Sequence, residues 1–299
     1  MDRLKKCTLC PRNCNVDRTS SSLGFCNATD KVKIARASLH FWEEPCISGT
    51  KGSGTVFFSN CNLKCVFCQN HKISHGGFGK EISIEKLSSI FLNLQDRGAH
   101  NINLVTPTHY AFQIIKALDL AKKNGLSIPI LYNSNGYEKE STIESLKGYI
   151  DVYLPDFKYF NDKYAIKYSN CKNYFKYASS SIEKMYMQVG APSFDSSGLI
   201  KKGVIIRHLM LPGLLFDSKK IVDYIYSKFK DNVYLSIMNQ YTPIDSLTNK
   251  YPEINKTLNP KHYKSFINYC RELGIKNAFI QDSESSSEKF IPDFDLRGI

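Results

Sequence analysis

The chain reads as an α/β protein, an open barrel-like sheet of about six β-α units behind a small cysteine-rich, metal-binding amino-terminal segment. Three observations lead there. From residue 55 onward, short runs rich in β-branched and aromatic residues alternate with longer stretches of helical period. Helical stretches close on glycine, as at Gly98 and Gly125. Seven of the ten cysteines fall into two tight groups near the front: Cys7, Cys10, Cys14 and Cys26, then Cys61, Cys65 and Cys68.

Candidate strands lie at 55–59, 101–105, 129–132, 151–154, 204–209 and 233–237. Between the first two, Ile84, Leu87, Ile90, Phe91 and Leu94 recur at helical spacing behind Ser83, an N-cap candidate. Phe112, Ile115, Leu118 and Ala121 form the next stripe, and Lys122-Lys123-Asn124-Gly125 is a basic, glycine-ended terminus. The stretch 157–203 is a long crossover with a helix through Ile182, Met185, Tyr186 and Val189. Tyr263, Phe266, Ile267, Cys270 and Leu273 mark a last amphipathic helix and make Cys270 a buried core thiol. The spacing assigns no role to Cys46 or Cys171. Six units are too few for a closed eight-stranded barrel, but an open one still brings its strand ends to a common cleft, where function belongs. Serine-rich patches at 19–22 and 283–287 read as mobile loops. The expected organisation is a cysteine-rich segment over 1–50, the barrel core over 51–245, and a carboxy-terminal helix and tail over 246–299.

At 299 residues and 42% hydrophobic content the chain can fill a core, which excludes wholesale disorder. Met1-Asp2-Arg3-Leu4-Lys5-Lys6-Cys7 has no apolar leader, and runs such as Val204-Ile205-Ile206 are interrupted long before they could cross a bilayer. The expectation is a cytoplasmic protein without membrane contact, whose cysteines are free to act as ligands. A formal charge of +12 suits an acidic partner surface, nucleic acid or an anionic cofactor without choosing among them.

Cys61-Asn62-Leu63-Lys64-Cys65-Val66-Phe67-Cys68 follows the first candidate strand directly and sets three thiolates on one loop. A four-iron cluster normally takes four cysteines, so three would leave one iron open to a small molecule. The plainer alternative is a zinc knuckle completed by His71 or His75. At the amino terminus, Cys7, Cys10, Cys14 and Cys26 supply four thiolates, enough for a closed tetrahedral zinc site or a second iron–sulfur cluster.

The triplet resembles the signature of the radical S-adenosylmethionine (SAM) superfamily. Across nearly the whole chain the sequence is similar to the branch of pyruvate formate-lyase activating enzyme-like proteins, through Cys7-Thr8-Leu9-Cys10-Pro11-Arg12-Asn13-Cys14, Glu43-Glu44-Pro45-Cys46-Ile47-Ser48-Gly49, Gly52-Ser53-Gly54, Cys68-Gln69-Asn70, Val105-Thr106-Pro107-Thr108-His109 and Ile206-Arg207-His208-Leu209. The resemblance implies a partial (β/α)6 barrel and a [4Fe–4S] cluster on Cys61, Cys65 and Cys68, with the methionyl amine and carboxylate of SAM on the open iron. It further implies reductive cleavage to a 5′-deoxyadenosyl radical under anaerobic conditions, with an electron donor such as flavodoxin or ferredoxin.

Further site residues follow from the same resemblance. Asn133, Ser134 and Asn135 stand where glycyl-radical activases have Asp-Thr-Asn, and Asp156 with Lys158 matches their Asp-x-Lys, so these would hold the methionyl end. Arg207 can pair bidentately with a carboxylate, and Phe67 can pack against adenine. The expected Gly-Gly-Glu run is replaced by Thr106-Pro107-Thr108-His109, in which Thr106 and Thr108 can accept hydrogen bonds but no carboxylate remains. His109 and His208 read as ordinary structural histidines.

The activase branch implies a glycyl-radical enzyme as protein substrate. The alternative keeps the radical and changes the target to another peptide, protein or small molecule. A non-catalytic zinc-ribbon protein that binds nucleic acid fits the charge and the cysteine pairs, but no nucleic-acid-binding module is recognisable and the β-α remainder would be unexplained.

Overall fold

The computed structural model describes residues 2–20, 22–244, 250–281 and 292–299. The six expected strands are present: β2 (Ser53–Phe58), β4 (Ile102–Val105), β5 (Ile130–Ser134), β6 (Val152–Pro155), β8 (Ile200–Leu209) and β9 (Tyr234–Met238). They pair in parallel in that order, and β10 (Ala278–Ile280) adds in parallel to β9. Sequence periodicity did not show β1 (Val32–His40) and β3 (Lys80–Ile82), which extend the other edge antiparallel, or the two-residue β7 (Ser193–Phe194) paired to β8. The order β10-β9-β8-β6-β5-β4-β2-β1-β3 has two ends, so the barrel is open as expected.

Alternation along the strands builds two cores. On β5, β6 and β8, Tyr132, Tyr153, Val204 and Ile206 face outward and pack with helix residues, while Leu131, Val152, Leu154 and Ile205 face inward. The outer layer contains α4 (Ile84–Asp96), α5 (Ala111–Lys123), α8 (Tyr174–Val189), α9 (Leu215–Phe229) and α10 (Pro260–Leu273). Ser83 caps α4, accepting from the amide of Lys86, and Gly98 closes that segment at φ +84°. Cys270 is buried on α10 as expected.

The floor of the barrel is a single turn, α2 (Pro45–Ser48), whose Cys46 and Ile47 fill the inner core. Fully burying a side chain such as Ile47 is worth about 1.5–3 kcal/mol. Cys46 thus acquires a packing role. Shorter helices complete the chain: α1 (Asp2–Lys5), α3 (His71–Ser74), α6 (Glu140–Ser145) and α7 (Asp162–Ser169). Beyond β10 the carboxy-terminal stretch returns to β1, where Leu296 donates to Ala35 and the amide of Ala37 donates to Arg297.

Thr19 and Ser20 are exposed and tied to Asp17, whereas the 283–287 patch lies outside the described residues. So does the 245 boundary expected for the core. Among the described residues no helix is long and apolar enough to cross a membrane.

Candidate active site

The inward period of the sheet continues past its strand ends. Above Leu131 come Asn133 and Asn135, above Leu154 come Asp156 and Lys158, and above Ile205 come Arg207 and Leu209. Below, that face is sealed by α2. Above, it opens into a cavity of about 260 Å³. Cys61, Cys65, Cys68 and Phe67 line this cavity, as do Thr106 and Asn133, Ser134 and Asn135, and Asp156, Lys158 and Arg207. The residues expected from the triplet and the strand ends therefore share one space.

The cysteine loop is fixed from both sides. Cys61 Sγ accepts from the amide of Leu63 at 3.3 Å and from Asn135 Nδ2 at 3.4 Å. Ser169, the last residue of α7, donates its hydroxyl to Cys65 Sγ at 3.0 Å, and the hydroxyl of Ser74 lies 3.2 Å from Cys68 Sγ. Asn62 is held between Asn135 Nδ2, at 2.7 Å, and the carbonyl of Tyr137, at 2.8 Å. Gly136 is required beside Asn135: its φ is +76°, and a Cβ there would stand 2.3 Å from the carbonyl oxygen of Asp156.

Lys158 Nζ lies 2.6 Å from Asp156 Oδ2. Burial works against the ammonium, but Asp156 and the neighbouring thiols outweigh it and raise its pKa. Thr106 adopts φ +58°, a strained conformation for a β-branched residue, at the end of β4 and on the cavity wall. Phe67 is buried with its ring 6.0 Å from that of Tyr241.

Arg207 does meet a carboxylate bidentately, but one supplied by the chain itself. Its Nε donates to Glu44 Oε1 at 2.9 Å, while Nη2 bridges Glu44 and Glu43. Asn103 secures Glu43 from β4 at 2.8 Å. The cavity also takes in His40, Trp42, Glu43 and Gln240, which sequence reasoning had not put in a site. Consecutive Glu43 and Glu44 before a helix-starting Pro45 was the available signal, but their partner lies 163 residues away from Glu44.

Thr108 does not face this cavity. It donates to Glu138 Oε1 at 2.5 Å, and burial raises that carboxyl to about 8. His208 is structural: it hydrogen-bonds the carbonyl of Phe157 and the hydroxyl of Ser218, and burial lowers its pKa to about 4. His109, lowered by burial to about 3, lines a different cavity. That second space, about 10 Å³, is lined by Cys7, Cys10, Cys14 and Cys26 together with Arg12 and Arg18.

The site is thus that of an open parallel α/β barrel with three thiols on the first strand-to-helix loop and polar strand ends around them. A sequence profile of the radical SAM superfamily matches residues 55–186. An uncharacterised protein of Methanocaldococcus jannaschii, MJ0674, is 36% identical over 265 residues, which cover 85% of this chain and 71% of that relative. The chain belongs to the radical SAM superfamily. In fold it is similar to SuiB of Streptococcus suis, solved with S-adenosylmethionine, at TM-score 0.51 and 18% identity over 74% of this chain and 48% of SuiB. It is similar also to HydG, a maturase of the [FeFe]-hydrogenase, at TM-score 0.50 and 14% identity over 74% and 48% of the two chains. The chain thus spans about half the length of these solved structures.

Membership implies [4Fe–4S] and SAM chemistry. The donor set suits that cluster. Cys61, Cys65 and Cys68 line one cavity from one loop, and a cubane takes one thiolate on each iron. Burial, reinforced by the charge of Cys65, pushes the Cys61 thiol up to about 12. For Cys65 burial, only partly offset by Lys158, gives about 11. Thiols so desolvated ionise around a cationic core and not without one.

Proposed function

We propose that Cys61, Cys65 and Cys68 each ligate one iron of the [4Fe–4S] cluster and leave the fourth to the methionyl end of SAM. When bound, the cluster and SAM supply reductive cleavage to a 5′-deoxyadenosyl radical. This chain's residues bind and orient. Asn133, Ser134 and Asn135 with Asp156 and Lys158 would hold the methionyl group, Thr106 would accept a hydrogen bond from its amine, Phe67 would pack on the adenine, and Arg207 braces that wall through Glu43 and Glu44. The observation that carries the reading is the common cavity: three thiols from one loop open onto the polar ends of β4, β5, β6 and β8. Its test is reductive release of 5′-deoxyadenosine by the reconstituted protein and by Cys65→Ala. The variant should lose the product, and equal yields would overturn the assignment.

The radical's target in this reading is a glycine on a partner protein, as in pyruvate formate-lyase activation, with the reaction in the cytoplasm and the electron from flavodoxin or ferredoxin. A glycyl radical signal on a host glycyl-radical enzyme supports it; silence across those enzymes ends it. The run Thr106-Pro107-Thr108-His109, without the activases' carboxylate, favours a second reading in which another peptide, protein or metabolite is the substrate. The amino-terminal cysteines complete the proposal as a second metal centre, zinc or iron–sulfur.

A further inference from the structure

The amino-terminal cavity has a charge that its neighbours reveal. Arg18, 1% exposed, spends its guanidinium on main-chain carbonyls: Ala28 at 3.0 Å, Thr29 at 2.5 Å and His109 at 2.6 Å. Arg12 donates Nε to the carbonyl of Asn62 at 2.9 Å and lies 3.6 Å from the centre of the Phe25 ring. Its Nη2 is buried without a hydrogen-bond partner among the described residues. Neither guanidinium is in a salt bridge with a carboxylate among the described residues; the ion pairs there engage Arg36, Arg207 and Arg297 instead. Carbonyls satisfy N–H groups but do not neutralise charge, and a buried cation without a counter-ion is costly. Glu138, the carboxyl whose field reaches Cys10, takes its hydrogen bond from Thr108 and, among the described residues, forms no salt bridge with either guanidinium.

His109 adds an independent sign. Its Nε2 lies 2.7 Å from the carbonyl oxygen of Ser59, which only accepts, so Nε2 carries the proton and Nδ1 a bare lone pair. That Nδ1 is buried and unpartnered, on a residue lining the cysteine cavity. An electron-poor occupant is what a bare nitrogen beside four thiols calls for.

We propose that Cys7, Cys10, Cys14 and Cys26 hold a divalent metal core as a tetrathiolate dianion whose counter-ions are Arg12 and Arg18. Zinc(II) and an oxidised four-iron cubane share this chemistry, because either 2+ core on four thiolates leaves two negative charges, the number that the two guanidiniums balance. The inference rests on the reading of these cysteines as metal ligands, and it adds the charge of the centre and the residues that set it.

The Cys61→Ala/Cys65→Ala/Cys68→Ala variant of the 299-residue chain isolates this centre. Loaded with zinc in one arm and with iron and sulfide anaerobically in the other, it should retain about one zinc or about four irons per chain, and the retaining arm identifies the core. No retained metal in either arm would overturn the metal reading and this inference with it. In the same background, Arg18→Gln and Arg12→Gln should release metal to a competing chelator with affinity weakened on the order of 10- to 100-fold, while Arg18→Lys and Arg12→Lys keep most of it. Metal held as tightly by the Gln variants as by the parent overturns the counter-ion assignment and leaves the metal reading standing. Should Arg18→Gln fail to fold, Arg12→Gln, on a half-buried side chain, carries the comparison.

Discussion

Arg207 shows how a residue can be recognised and its partner missed. An arginine on the fifth parallel strand invites a carboxylate, and the carboxylates it finds are Glu43 and Glu44, brought from the segment before the barrel. Glu44 is buried; burial alone would raise its pKa, but the guanidinium lowers it. Removing the cation would leave two adjacent carboxylates inside the barrel. Arg207→Ala should therefore lower unfolding free energy by about 3–5 kcal/mol. Urea unfolding measures this, and a loss below about 1 kcal/mol would mean that the triad is not held as described. By contrast Cys61, Cys65 and Cys68 were legible because their spacing is local and their chemistry leaves few alternatives. Asp156 and Lys158 were legible as a pair two residues apart, though whether they faced solvent or a cavity was not.

Among elements, the parallel strands and the capped helix α4 could be read because a strand's period and a helix's cap are encoded within a few residues. Ser83→Ala should cost about 1 kcal/mol in urea unfolding while leaving the yield of 5′-deoxyadenosine per folded protein unchanged, since α4 packs on the outer face. Gly136→Ala should do the reverse of a mild change: with φ at +76° and the carbonyl oxygen of Asp156 only 2.3 Å from the new Cβ, the turn must move. Its loss should exceed about 2 kcal/mol, and it should displace Asn135 from Cys61; wild-type unfolding with full iron loading would contradict that. The missed strands have a common reason. β3 and β10 are three residues long, and β1 lies inside the cysteine-rich segment, ahead of the β-α alternation. Their pairing depends on an edge that exists only after the sheet has formed.

At the scale of the whole molecule, three buried groups shape stability against pH. His109 and His208 stay neutral in the fold down to about 3 and about 4, against an ordinary 6.5, so the unfolded chain takes up their protons first and stability falls as pH drops below 6.5. Glu138 keeps its proton up to about 8 against an ordinary 4.5, so the unfolded chain loses that proton first and stability falls as pH rises toward 8. Stability of the metal-free protein should therefore peak near pH 6.5, with a decline from there to pH 8 that Glu138→Gln flattens. A flat profile over that range in the parent chain would show that Glu138 is ionised in the fold.

The sequence alone determined the α/β class, the six parallel strands, the three-thiol loop and the polar strand ends, because each is written in neighbouring residues as a period, a spacing or a cap. Only the tertiary structure decided that those strand ends share one cavity, that Arg207 is engaged by Glu43 and Glu44, and that Arg12 and Arg18 line the cavity of the amino-terminal thiols without a salt bridge to a carboxylate among the described residues. Such facts concern which distant charges meet in a low-dielectric interior, and that is settled by packing and desolvation of the whole chain rather than by any local pattern.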